Sequence, residues 1–262
     1  MTLPSAEWLP LLQRLTYVSE SWGVWKNADR ALAGQGDVDS VAPAAEHVSL
    51  AEEFCRWAAE AELHWVVRCR HAGGILVLIA GDLSRWAQLD LVSTTPFRGA
   101  RLFSAEDLIP LMLMDPRGFR RLRSGAEGLF LLLYKGLRWG GRPDWPNLRR
   151  YNVLDKIIRD WAGAEAAAAL LGSASGPLLR AVRSAIRGEW NGPALLHAEA
   201  LTLLRGFTDP GALVSRAIVR GWRLPRCQVA KAIAAGRQPQ QLDQWLQRVR
   251  KHHEVQAISN PA

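Results

Sequence analysis

Cysteine is scarce in this chain of 262 residues, and the three present, Cys55, Cys69 and Cys227, are far apart and odd in number. That argues against a disulfide framework and points to a reducing compartment. Long hydrophobic runs are also missing. The longest, Ile75 to Ala80 and Leu129 to Tyr134, are too short to span a bilayer. The first residues, Met1 to Trp8, lack the basic region and apolar run of a signal peptide. There is no internal repeat and no low-complexity tract, only an alanine-rich segment near Ala166 that suits a helix. These absences lead to the expectation of a soluble, cytoplasmic protein with no membrane partner, holding one large domain or two modest ones.

What the chain does have is basic charge and tryptophan. The net charge of +8 favours anionic partners such as nucleotides or nucleic acids, and equally fits a solvated arginine-rich surface. The tryptophans, 12 in number, are expected in cores and domain interfaces.

Periodicity gives the elements. Trp8, Leu11, Leu12 and Leu15 fall at helical spacing and predict a helix over 8–19. Gly23 to Trp25 reads as a short strand, Asp29 to Ala33 as a short helix, and Asp37 to Val41 as a strand. Ser49 and Glu52 are spaced as a capping box for a helix running to Glu62. Alternation marks a strand over 64–70. Further strands are expected over 75–80 and 87–93. After Pro96 the pattern turns helical, with Ser104 as an N-cap and helices over 105–114, 126–135, 151–161, 165–171, 177–186, 193–204, 210–219, 226–235 and 240–252. The tail from Glu254 is expected to fray. The fold class is therefore α+β. Residues 1–98 form an α/β domain with a short mixed sheet backed by helices, and residues 99–262 form an all-helical domain.

The chemistry concentrates in Gly36-Asp37-Val38-Asp39. On a strand, Asp37 and Asp39 point to one face while Val38 turns to the core. Paired carboxylates repel unless a cation lies between them, and a hard divalent ion takes oxygen ligands. The alternative is a polar Gly-Asp turn. Asp90, inside the apolar strand Leu89-Asp90-Leu91, is a third candidate. If its strand lies beside that of Asp37 and Asp39, three carboxylates converge; otherwise it is a solvent-facing residue on an edge strand.

The spacing of these residues resembles the nucleotidyltransferase superfamily with a polymerase-β-like fold. The pair is Asp37-Val38-Asp39 and the third acid is Asp90 in Leu89-Asp90-Leu91. The stretch from Trp25 to Ser40 is similar to a bacterial branch of that superfamily with a Trp-Lys-Asn turn and a Gly-Asp-x-Asp strand. The resemblance covers about the first hundred residues. It implies Mg²⁺, held by Asp37, Asp39 and Asp90, and an NTP as substrate, with Lys26, Asn27 and Gly36 at the phosphates. It further implies transfer of a nucleoside monophosphate to an acceptor, which is a small molecule, an RNA or a protein. Where the superfamily commonly has a Gly-Ser or Gly-Gly turn, this chain has Lys26-Asn27, and Ser40 follows the second acid in place of an apolar residue. The second class weighed is a nucleotide- or RNA-binding protein without catalysis on a decayed transferase fold.

Other groups carry less. Cys55, His64, Cys69 and His71 lack a zinc-ligand spacing, and the two cysteines read as core thiols. His71 lies on a turn as a surface residue or a nucleotide contact. Arg117, Arg120, Arg121 and Arg123 are either a phosphate or RNA footprint or the charged end of a helix. Leu224 to Leu242 has the outline of a helix-turn-helix without a basic recognition helix.

Overall fold

A computed structural model of the chain describes residues 5–71, 75–82, 85–97, 100–206, 214 and 254–257. They divide into two units. One comprises the described residues up to Ser93 together with Met114–Arg120 and 254–257; the other comprises Thr94–Leu113 and the described residues from Arg121 to Val214.

The first unit runs α1 (Ser5–Val18), β1 (Gly23–Lys26), α2 (Ala28–Leu32), β2 (Val38–Val41), α3 (His47–Glu60), β3 (Trp65–His71), β4 (Ile75–Gly81) and β5 (Trp86–Val92). The chain continues with β6 (Thr94–Phe97), β7 (Ala100–Ser104), α4 (Ala105–Leu108), β8 (Met112–Met114), β9 (Arg120–Leu122), α5 (Ser124–Leu131), β10 (Leu137–Arg138) and β11 (Arg142–Pro143). Then come α6 (Trp145–Arg150), α7 (Val153–Arg159), α8 (Trp161–Ala169), α9 (Ser175–Ile186), α10 (Gly192–Gly206) and β12 (Glu254–Ala257). No helix among the described residues is long and apolar enough to cross a membrane.

The main sheet is mixed, in the order β12-β3-β4-β5-β2-β1-β9-β8. β2 runs parallel to β5, while β1–β2, β4–β5, β3–β4 and β3–β12 are antiparallel. α3 and β3–β4 lie between β2 and β5 in sequence, the kind of long crossover that a parallel pair requires. One face of the sheet, carrying Val24, Val38, Val66, Leu78, Leu89 and Leu91, packs in a common core with Trp8, Leu11, Leu12 and Leu15 of α1 and Leu50, Phe54 and Trp57 of α3. Trp8 and Trp57 stack with their rings 5.7 Å apart. The expected apolar face of the first helix is thus the side that is buried.

The second unit packs α5 against α7 and α8. The approach is close at Gly125, where a Cβ would lie 1.7 Å from the Asp160 carbonyl oxygen. Glu127 is buried there and held by Arg121 at 3.2 Å and Lys156 at 2.8 Å. Phe103 of β7 meets Phe130 of α5 at 4.9 Å.

Several expectations need correction. Among its described residues, the region expected to be all-helical, 99–262, also contains the strands β7 to β11 and β12. The helix expected to run to Met114 stops at Leu108, where Pro110 removes a backbone donor; a 3₁₀ turn over Ile109–Leu111 leads into β8 instead. Ser104 does cap α4, in a reciprocal box with Asp107. Ser49 caps nothing: a 3₁₀ turn over Ala44–Glu46 starts α3 earlier, and the Ser49 hydroxyl donates to the Glu46 carbonyl at 3.0 Å. Within the expected fraying tail, Glu254–Ala257 is a strand paired to β3. Cys69 is disulfide-bonded rather than a free core thiol, so the odd cysteine count does not by itself place the chain in a reducing compartment. Cys55 is a half-buried free thiol that accepts from Arg68 Nη2 at 3.2 Å. The helices expected over 226–235 and 240–252, and the helix-turn-helix outline at 224–242, lie outside the described residues, as does 210–219 apart from Val214, which is helical.

Candidate metal centre

Strand register builds the site. In the parallel pair β2–β5, Val38 lies opposite Leu89 and Asp39 opposite Asp90. Val38 and Leu89 point into the core with no exposure, so the alternation of the strands sends Asp39 and Asp90 to the other face. Asp37 immediately precedes β2, and its carboxylate joins them. One ligand oxygen from each of Asp37, Asp39 and Asp90 can be chosen so that all lie within 4.8 Å of one another. The three expected carboxylates are therefore brought together, and Asp90 is on an interior strand of the sheet, not an edge.

The antiparallel partner on the other side of β2 adds a cation. Val24 lies opposite Ser40, yet Lys26 lies opposite Asp39, so β1 carries one extra residue, Trp25, as a bulge. In an unbroken ladder Trp25 would oppose Asp39. The bulge puts Lys26 there instead, and its Nζ stands 2.6 Å from Asp39 Oδ1, both side chains being largely buried. The same ammonium lies 4.8 Å from the centre of the Trp25 ring. Lys26, Asp39 and Asp90 thus form one row across three neighbouring strands.

Gln88 completes the cluster. It precedes Asp90 by two residues and shares its face, and its Nε2 donates to Asp90 Oδ1 at 2.9 Å and reaches Asp37 Oδ2 at 3.5 Å. Sequence reasoning passed over Gln88, although the i, i+2 rule that paired Asp37 with Asp39 applies to it equally. The contribution of Trp25 had no sequence signal, because a bulge is a property of the pair of strands. Ser40, the polar residue after the second acid, is fully buried and donates its hydroxyl to the Asp90 carbonyl at 2.9 Å, which satisfies it within the core.

The electrostatics follow from crowding. Burial, then the neighbouring Asp39 and Asp37, push the Asp90 carboxyl up to about 7, with Gln88 and Lys26 pulling the other way. For Lys26, burial works against the charge, but Asp39 beside it more than compensates, with Asp37 and Asp90 adding to the effect; its pKa is raised. At the turn between β1 and α2, Asn27 is left-handed with φ 60°. Gly36 has φ 150°, and a Cβ there would meet nothing within 4 Å among the described residues.

The remaining candidates go elsewhere. His71 ends β3 instead of lying in a turn. The four arginines are not the C-terminal end of a helix; they flank and form β9, with Arg123 as the N-cap of α5, and each has an internal partner. Arg117 pairs with Asp115 and Asp29, Arg120 donates to the Ser19 and Trp22 carbonyls, Arg121 pairs with Glu127, and Arg123 pairs with Asp160.

The donor set, three carboxylates offering oxygen alone, fits a hard divalent cation. Compared with family models, with curated proteins and with solved structures, the chain matches none of them.

Proposed function

We propose that this protein is a Mg²⁺-dependent nucleotidyltransferase that moves a nucleoside monophosphate from an NTP to an acceptor. The observation that carries this reading is the convergence of Asp37, Asp39 and Asp90 within 4.8 Å from two adjacent strands, with a lysine in the same row. Lys26 ends β1 opposite Asp39, Asn27 follows it, and Gly36 immediately precedes Asp37 in the chain. Asp37, Asp39 and Asp90 would hold the ion, which supplies charge neutralisation at the triphosphate. Gln88 fixes the Asp90 carboxylate as a ligand of that ion, which would lower the pKa of the attacking group so that its proton passes to solvent. The acceptor's oxygen or nitrogen bonds to the α-phosphorus as the bond from that phosphorus to the bridging oxygen breaks, and pyrophosphate leaves.

The test is transfer of label from an α-³²P NTP into a metabolite or RNA extract. Asp37→Asn and Asp39→Asn are each expected to lower transfer by a factor of about 100 or more, while still unfolding cooperatively. Variants that transfer label as well as the wild type would show the assignment to be wrong.

One observation favours a second reading, a nucleotide- or RNA-binding protein without catalysis. The Lys26 ammonium already neutralises Asp39 at 2.6 Å, which a decayed centre would retain for stability. That reading predicts metal-independent binding with a steep salt dependence and no pyrophosphate release. A strict Mg²⁺ requirement with pyrophosphate release removes it.

A further inference from the structure

We propose that Lys26 is the built-in counter-cation of the three-carboxylate centre, displaced from Asp39 when a divalent ion enters and transferred to the phosphate oxygens that arrive with the ion. The inference rests on the reading of the centre as a metal–nucleotide site.

The geometry of the pair carries it. Lys26 reaches Asp39 only because the Trp25 bulge shifts β1 by one residue, so the contact is built into the strand pairing and is not a chance surface approach. Its Nζ occupies Asp39 Oδ1 at 2.6 Å and is backed by the Trp25 ring at 4.8 Å. Gln88 serves Asp90 and Asp37 but does not reach Asp39 by a hydrogen bond of its own. Gln88 thus serves Asp90 and Asp37 with a neutral donor, whereas Lys26 brings a full positive charge to Asp39.

That charge conflicts with a metal. The carboxylate oxygens lie within 4.8 Å of one another, so an ion shared among them comes into the immediate neighbourhood of the ammonium. Two cations at that spacing in a largely buried site repel strongly. An ion binding to Asp39 must push Nζ away or bind weakly. The flexible four-carbon stem of lysine permits the move, whereas a rigid guanidinium would not leave so readily. A triphosphate bound beside the ion offers the displaced ammonium new acceptors. Ion and nucleotide then bind together more tightly than either does alone, and the empty centre is kept from loading free ion.

The experiment titrates the full-length protein with Mn²⁺ alone, reading free Mn²⁺ by electron paramagnetic resonance. Lys26→Met and Lys26→Gln are each expected to bind Mn²⁺ at least about tenfold more tightly than the wild type, by removal of one repelling charge. Asp39→Asn is expected to abolish the binding. A Kd unchanged or raised in both lysine variants overturns the proposal, as does absence of Mn²⁺ binding in all proteins. A second measurement needs no variant: amine acetylation of the wild type, followed by mass spectrometry at Lys26, is expected to speed up several-fold when Mn²⁺ is added. An unchanged or slower rate also overturns the proposal. Neither readout depends on turnover. If Lys26 behaves as expected and no NTP reacts, the transferase reading falls and the counter-cation role stands. If pyrophosphate is released while Mn²⁺ affinity ignores Lys26, only the counter-cation role falls.

Discussion

Asp90 shows what a single side chain undergoes when a sheet turns it toward two like charges. Its carboxyl rises from 3.8 to about 7, burial being the first cause and Asp39 and Asp37 the next. An acid whose pKa is higher in the folded state holds its proton more tightly there than in the unfolded chain. Below 3.8 both states are protonated and nothing is lost. As pH rises from that value toward about 7 the penalty grows, and above about 7 it is complete. The neutral isostere Asp90→Asn keeps an acceptor for Gln88 and removes the charge. In metal-free buffer its melting temperature is expected to exceed that of the wild type by about 5 °C at alkaline pH, with the gain vanishing near pH 4. Melting curves across that range check the sign, and a gain that grows on acidification would contradict the burial of this acid. Lys26, raised in pKa by the same acids, stays protonated throughout the range.

At the scale of elements, two local irregularities set the site. The first is the bulge at Trp25, without which Lys26 would face away from Asp39. The second is the turn at Asn27, whose φ of 60° lets β1 pass into α2 within one residue. Asparagine tolerates that left-handed conformation, glycine adopts it freely, and a β-branched residue does not. Asn27→Val is therefore expected to be less stable than Asn27→Gly by about 1–2 kcal/mol in urea unfolding. Equal stability of the two would show that the turn relaxes to another conformation. The parallel pairing of β2 and β5 is the third requirement, since it alone sets Asp39 opposite Asp90.

At the scale of the whole molecule, the first unit is not continuous in sequence. Met114–Arg120 belongs to it, and Phe119 from that segment is fully buried in its core. Arg120 donates from its backbone to Thr16 Oγ1 at 3.0 Å and from its guanidinium to the Ser19 and Trp22 carbonyls. Glu254–Ala257 covers the β3 edge of the sheet. A fragment comprising residues 1–98, the α/β domain expected from sequence, lacks all of these. It leaves a core position empty and a sheet edge unpaired. The fragment is expected to show no cooperative thermal transition by circular dichroism under conditions where the full chain unfolds cooperatively. A fragment melting at the same temperature as the full chain would refute the dependence on those distant segments.

The sequence by itself determined the elements of the first unit as far as β5, and the faces of some of them. Helical spacing of Trp8, Leu11, Leu12 and Leu15 identified the buried side of α1, and period-two alternation identified β3, because each pattern reports on a single element. The acids were legible for the same reason: a charge between Leu89 and Leu91, or a pair at i and i+2, stands out locally. Tertiary structure alone decided the rest. That Asp39 faces Asp90 depends on register between strands separated by a long crossover. That Lys26 reaches Asp39 depends on a bulge defined by two strands together. That the arginines from Arg117 to Arg123 serve internal acids and carbonyls depends on partners distant in the chain. Periodicity records which way a side chain points within its own element; only the pairing of elements, fixed by the burial of the shared core, records what it meets.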